Sequence, residues 1–181
     1  MKSSSAIPFW TWGVAAALLL FALYTSWETA RVEKTIEATS ARAAAEIARQ
    51  HALQEKLAIA RREAIILTDP ESVRILMATG SKGMPKLEAV WHAKLGIVLA
   101  GQNVPMPSGN RTLQLWLIPK TPGAKPMPSM MVRPDAAGKF VLLVANPPNA
   151  MGATKALAIT EEPASGSQAP TSKPIWVGTI G

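Results

Sequence analysis

From Ser3 to Trp27 the chain carries no charged residue, and the run from Ile7 to Trp27 (IPFWTWGVAAALLLFALYTSW) is almost wholly apolar. At about 1.5 Å per helical residue it would extend roughly 31 Å, close to the roughly 30 Å hydrocarbon core of a bilayer. Trp10 and Trp12 stand near one end, and Tyr24 and Trp27 near the other. Amphipathic rings take such places at the two water interfaces of a spanning helix. The expectation is a single-pass N-terminal transmembrane helix over residues 7–27, with a short tail over 1–6. A cleaved secretory signal needs a shorter apolar stretch and small residues before the cut, where this chain has Tyr24 and Trp27. Lys2 stands against Arg31, Lys34 and Arg42 beyond the segment, so the positive-inside count leaves orientation open.

The chain has 181 residues, which leaves room after that segment for one globular domain and an extension. The formal charge of +7 divides as +1 from Lys2, +1 over residues 28–66 (seven basic, six acidic) and +5 over residues 67–181 (eleven basic, six acidic). Nucleic-acid binding requires basic residues gathered into a patch or stripe. Here Arg74, Lys82, Arg111, Arg133, Lys155 and the rest are scattered singly, many beside turn signals, so they read as solvated surface charge and no nucleic-acid partner is expected. There is no cysteine, so disulfides and thiolate metal sites are excluded and stability must come from core packing.

Residues 28–66 contain neither Gly nor Pro and are rich in Ala, Glu, Arg and Gln, which predicts a long helical stalk. Lys34–Glu37, Arg42–Glu46 and Glu46–Arg49 stand at spacings that allow ion pairs. The best heptad frame puts Ile36, Ala43, Gln50 and Leu57 in one seam position and Ser40, Ile47, Gln54 and Arg61 in the other. Half of these are polar, a weak seam for a coiled coil. A homodimer through the stalk stays open beside the default, a solvated stalk or a helix lying on the C-terminal domain.

At Thr68-Asp69-Pro70 the pattern changes, because the residue before a proline is pushed out of helical geometry. Strands are predicted at 72–79, 86–92, 94–100, 111–118, 129–132, 139–145, 155–162 and 174–180, separated by clusters such as GSKGMP, GQNVPMPSGN, PDAAG and PASGSQAP. Such spacing predicts a mainly β fold, a C-terminal antiparallel β-sandwich of about seven or eight strands over residues 67–181. In Leu113–Ile118 both alternating faces are apolar or bulky. One face is expected on the core and the other under a loop or the stalk helix.

Residues that carry chemistry are sparse. His51 and His92 are the only histidines, without His-x-x-x-His or Glu-x-x-His spacing, so no metal site is expected. Gly-x-Ser-x-Gly and the phosphate-cradling Gly-x-x-x-x-Gly-Lys are absent. Glu161 and Glu162 are adjacent, so on a strand they point to opposite faces and cannot act as an acid–base pair. No catalytic residue and no cofactor is expected, and the chain does not read as an enzyme.

Two segments are more specific. RTLQLWLIPK at 111–120, with Gln114-Leu115-Trp116 at its centre, resembles the Tyr-Gln-Leu-Trp strand in the extracytoplasmic C-terminal domain of bacterial anti-sigma-K factors. AITEEPASGSQAPT at 158–171, followed by KPIWVG, resembles the closing signature of the same family, and KPMPSMMVRPDAAGKFVLLV and KLGIVLAGQNVPMP resemble intervening parts of it. The match covers about residues 85–181. Leu113 replaces the usual aromatic residue before Gln-Leu-Trp, and Ser165 the first glycine of the pair after Glu162-Pro163.

The signature positions are Gln114, Leu115, Trp116, Thr160, Glu162, Pro163, Gly166, Ser167, Pro170 and Thr171. Trp116 is read as a core or inter-sheet plug, and Glu162, Ser167 and Thr171 as groups that satisfy the backbone of the loop after Pro163, with a partner site there as the alternative. The resemblance implies a membrane-anchored anti-sigma-factor-like regulator of an extracytoplasmic-function sigma factor. It implies a place in the bacterial plasma membrane, with the N-terminus cytoplasmic and the sandwich outside. Family members typically carry a cytoplasmic zinc-coordinating anti-sigma domain before the span, for which the residues ahead of this span are too few. A sigma factor would then be contacted directly or through a full-length anti-sigma partner. The alternative is an envelope binding or dimerisation module without direct sigma-factor binding.

Overall fold

The computed structural model describes residues 9–181; the tail over 1–6 and the first two residues of the apolar segment lie outside that range. One helix, α1, runs Phe9–Thr68. Among the described residues no helix is long and apolar enough to cross a membrane. The chain divides into two compact units, Met1–Lys56 and Leu57–Gly181.

Over its described residues the first unit is the part of α1 up to Lys56, and the last turns of α1 belong to the second unit. Leu18, Leu19, Leu20, Phe21 and Leu23 are each 64–68% exposed among the described residues. The hydroxyls of Thr25 and Ser26 donate to the carbonyls of Ala22 and Leu23 at 3.0 and 2.9 Å, the local satisfaction that lets polar side chains sit in an apolar helix. Arg31 lies over the Trp27 ring, 4.4 Å from its centroid. Arg42, Glu46 and Arg49 form no ion pair among the described residues. Holding two long exposed side chains together gains little against their entropy. Lys34–Glu37 lies outside the described side chains.

In the second unit strands form at all eight predicted runs: β1 Val73–Met77, β2 Leu87–His92, β3 Gly96–Gly101, β4 Arg111–Pro119, β5 Met127–Val132, β6 Phe140–Val144, β7 Thr154–Pro163 and β8 Trp176–Thr179. They make two four-stranded antiparallel sheets in the orders β1-β2-β3-β6 and β5-β4-β7-β8. Period-2 alternation sends Ile75, Trp91 and Leu99 from one sheet, and Leu115, Leu157 and Trp176 from the other, into one buried core. An antiparallel bridge between Ala78 and Val177 joins the outer strands β1 and β8.

That bridge also orients the sheets. With every neighbour antiparallel, the α1–β1 connection, the end of β2 and the end of β6 lie at one end of the sandwich, here the proximal end. The start of β4 and the ends of β5 and β7 lie at the other, the distal end.

Helix α1 ends where Pro70 can donate no N–H, and Asp69 Oδ1 accepts from the Glu71 N–H at 2.8 Å to turn the chain into β1. Its last turns lie on the outer face of the first sheet, where Ile66 is fully buried against Val90 and Val98. Arg62 donates from Nε to the Leu95 carbonyl at 2.7 Å and from Nη2 to the Ala145 carbonyl at 2.8 Å. Residues 42–61 are exposed throughout. The outer face of β4 is covered by the chain that follows β7, since the helix docks on the opposite sheet.

Candidate functional site

Strands β4 and β7 are the central pair of the second sheet, with Gln114 opposite Thr160 and Thr112 opposite Glu162. Leu113, Leu115 and Leu117 enter the inter-sheet core. The alternate residues of β4 therefore face outward, and the segment after β7 folds back over them. Its first turn is closed by the Gly166 N–H on the Pro163 carbonyl at 2.8 Å, with Gly166 at φ +77°. A side chain at Gly166 would place its Cβ 3.2 Å from Gln114 Oε1, so the glycine serves both the left-handed turn and the close approach.

Glu162 is at the centre of this layer and is completely buried. Its Oε1 accepts from the Thr160 hydroxyl at 2.5 Å and the Thr171 N–H at 3.0 Å. Its Oε2 accepts from the Ser167 hydroxyl at 2.8 Å, and also from the Thr171 hydroxyl and N–H. The Trp116 indole N–H donates to Thr160 Oγ1 at 2.8 Å, which extends the network across β4. None of the ion pairs among the described residues includes Glu162. Burial pushes this carboxyl up, and the hydrogen bonds from Thr160, Thr171 and Ser167 with the Thr171 N–H outweigh it and hold its pKa at about 2. A carboxylate so surrounded is charged at neutral pH and already has its donors, a structural anchor rather than a proton-transfer group.

The structure thus brings Gln114, Trp116, Thr160, Glu162, Gly166, Ser167 and Thr171 into one layer. Leu115 lies apart, in the inter-sheet core. Pro163 is the last residue of β7, and Pro170 is half-buried just before Thr171. Trp116 is a fully buried core residue, as expected, but it faces away from the inter-sheet core because it shares its strand face with Gln114, so the inter-sheet half of that reading is corrected. Leu113 fills a core place, and Ser165 is exposed, so both departures from the family pattern are accommodated. A cavity of about 300 Å³ opens beside Gln114 and Ser167, with Ser129 and Met131 of β5 on its far wall.

Sequence reasoning missed Arg62, whose two bonds fix the end of α1. Only its place in the last turns of the helix could have pointed to it. Asp69, Glu71 and His92 also gather, with one ligand atom of each within 4.8 Å of the others. His92 Nδ1 accepts from the N–H groups of Lys94 and Leu95 at 3.1 and 3.2 Å, so the ring N–H is at Nε2, 3.8 Å from Asp69 Oδ2. That nitrogen has no lone pair to offer a cation, and at 3.8 Å it is beyond hydrogen-bond distance of Asp69.

No curated protein and no solved structure shows a significant match to this chain. The family model described as anti-sigma-K factor rskA, C-terminal, matches residues 11–175. That range reaches from the apolar segment through α1 and β1 to β7, ending just before β8, and it contains the whole buried layer around Glu162. The chain belongs to the anti-sigma-K factor rskA C-terminal family.

Proposed function

We propose that this protein is a membrane-anchored, anti-sigma-factor-like regulator of an extracytoplasmic-function sigma factor, with Ile7–Trp27 as the anchor, the N-terminus in the cytoplasm and the sandwich outside. The observation that carries the reading is the reach of the family match, which includes most of the apolar segment as well as the sandwich. The uncovered leucines at 18–20 and 23 support it, since a helix surface of that kind is stable against lipid and costly against water. Trp27 beneath Arg31 suits a water interface. The sandwich holds or senses an envelope component, and α1 connects it to the anchor.

The test is co-purification of a sigma factor with the tagged full-length chain from its native host, together with a promoter reporter for that sigma factor. Association, and reporter activity that changes when the chain is deleted, support the reading; neither occurring overturns it. Topology is read separately. The chain has no native cysteine, so single cysteines at Ser4 and Lys125 label selectively with a membrane-impermeant maleimide. Labelling of intact cells at Lys125 and not at Ser4 is expected.

A second reading, an envelope module that pairs through the stalk, is favoured by the exposure of Ile47 and Leu57 on α1. Disulfide crosslinking of Ile47→Cys in membranes would reveal a paired stalk.

A further inference from the structure

At the distal end of the sandwich a cavity of about 400 Å³ lies between the β3–β4 loop, the start of β4 and the end of β5. Its rim is fixed by backbone bonds. Ala164 N–H donates to the Asn110 carbonyl at 3.0 Å, and Val104 N–H to the Gly138 carbonyl at 2.9 Å, tying the β3–β4 loop to both neighbouring loops. Met106, Pro107 and Ala164 give apolar walls. Met106 is 61% exposed at the mouth.

Three polar side chains stand in this apolar setting. Arg111 is already engaged, with Nε on Glu161 Oε1 at 2.8 Å. Arg133 has no carboxylate partner among the described residues, and its Nη2 reaches only Met131 Sδ at 4.0 Å. Thr112 is 5% exposed, and its hydroxyl has as partner only the Leu113 carbonyl at 3.5 Å, the outer limit of a hydrogen bond. One uncommitted guanidinium and one underused buried hydroxyl, inside apolar walls of this volume, match a monoanion with two acceptor oxygens and an apolar body. A phosphate dianion would require more donors than these to replace its water.

We infer that this groove binds an apolar carboxylate, with the carboxylate on Arg133 and Thr112 and the apolar body against Met106, Pro107 and Ala164. The chemistry is shared by small aliphatic or aromatic acids and by the free C-terminus of a peptide ending in an apolar residue. Arg111 and Arg133 are 22 positions apart in sequence, and the β4–β5 pairing that sets Leu113 opposite Val132 brings them to one end. The groove stands on its own residues and holds whether or not a sigma factor is the regulated partner.

The test is ligand-observed saturation-transfer NMR on the full chain in detergent micelles, with protein-free micelles as blank. The probes are phenylacetate against phenylacetamide, and N-acetyl-Gly-Ala-Leu as free acid against its C-terminal amide. Binding of either acid with at least tenfold preference over its amide supports the proposal, and the acid that binds identifies the source. No binding by either acid, or equal binding by acid and amide, overturns it. Arg133 is exposed, so Arg133→Gln should keep the melting temperature while weakening acid binding at least tenfold. Thr112→Val should weaken it about threefold, as expected for one lost hydrogen bond. Unchanged binding in Arg133→Gln would overturn the assignment.

Discussion

Gln114 and Ser167, 53 positions apart, hold each other by two hydrogen bonds. Gln114 Nε2 donates to the Ser167 carbonyl at 2.9 Å, and Gln114 Oε1 accepts from the Ser167 N–H at 2.8 Å. One side-chain amide thereby satisfies both backbone groups of a loop residue, as a neighbouring strand would.

Gln114→Leu should therefore expose the loop before it harms the sheet. Both Ser167 backbone groups lose their partner, for an expected loss of about 1–3 kcal/mol. Hydrogen exchange of the full chain should show faster exchange at Ser167, with β4 amides less affected. Uniform acceleration over β4 and β7 would contradict a local role.

Glu162 makes stability depend on acid. Its carboxyl lies at about 2 in the folded chain against 4.5 as the ordinary value. Its contribution is fully present above about pH 4.5 and is lost as pH falls toward about 2, amounting to about 3 kcal/mol over that window. Urea unfolding between pH 7 and pH 2.5 should show this decline. Glu162→Gln should be less stable at pH 7 and lack this part of the decline; the same acid slope in both proteins would rule out Glu162 as its source.

Arg62 is the polar half of the helix clamp, with Ile66 the apolar half. Arg62→Met keeps much of the stem and removes both bonds to the Leu95 and Ala145 carbonyls. An expected loss of about 1–3 kcal/mol should appear as faster hydrogen exchange in residues 60–68, with the inter-sheet core unchanged.

Gly96 opens β3 at φ +102°, and a Cβ there would lie 2.2 Å from the Val144 carbonyl oxygen. Gly96→Ala combines a strained backbone with a clash against backbone that cannot move aside, so a loss of about 2 kcal/mol or more is expected in thermal unfolding. A melting temperature within a degree of the parent would show that β6 yields.

Elements governed by neighbours in sequence were legible without the fold. Alternation and turn residues located all eight strands, and Asp69-Pro70 located the end of α1. The Asp-x-x-Gly turn appears as Asp135 accepting from the Ala137 and Lys139 N–H groups, with Gly138 at φ +69°. The face taken by Trp116 was not legible, since the strand period separates its two faces without saying which one the other sheet covers.

From the order of residues alone came the period of each strand, the turns between them, the long helix and the family signature, because backbone sterics and local hydrogen bonding act over a few positions. Only the tertiary structure decided that α1 docks on the first sheet through Arg62 and Ile66. It alone closed the loop after β7 over β4 and gathered four donor groups on the buried Glu162 carboxylate. These arrangements join residues many positions apart, and they follow from which surfaces remain to be buried once the two sheets have packed.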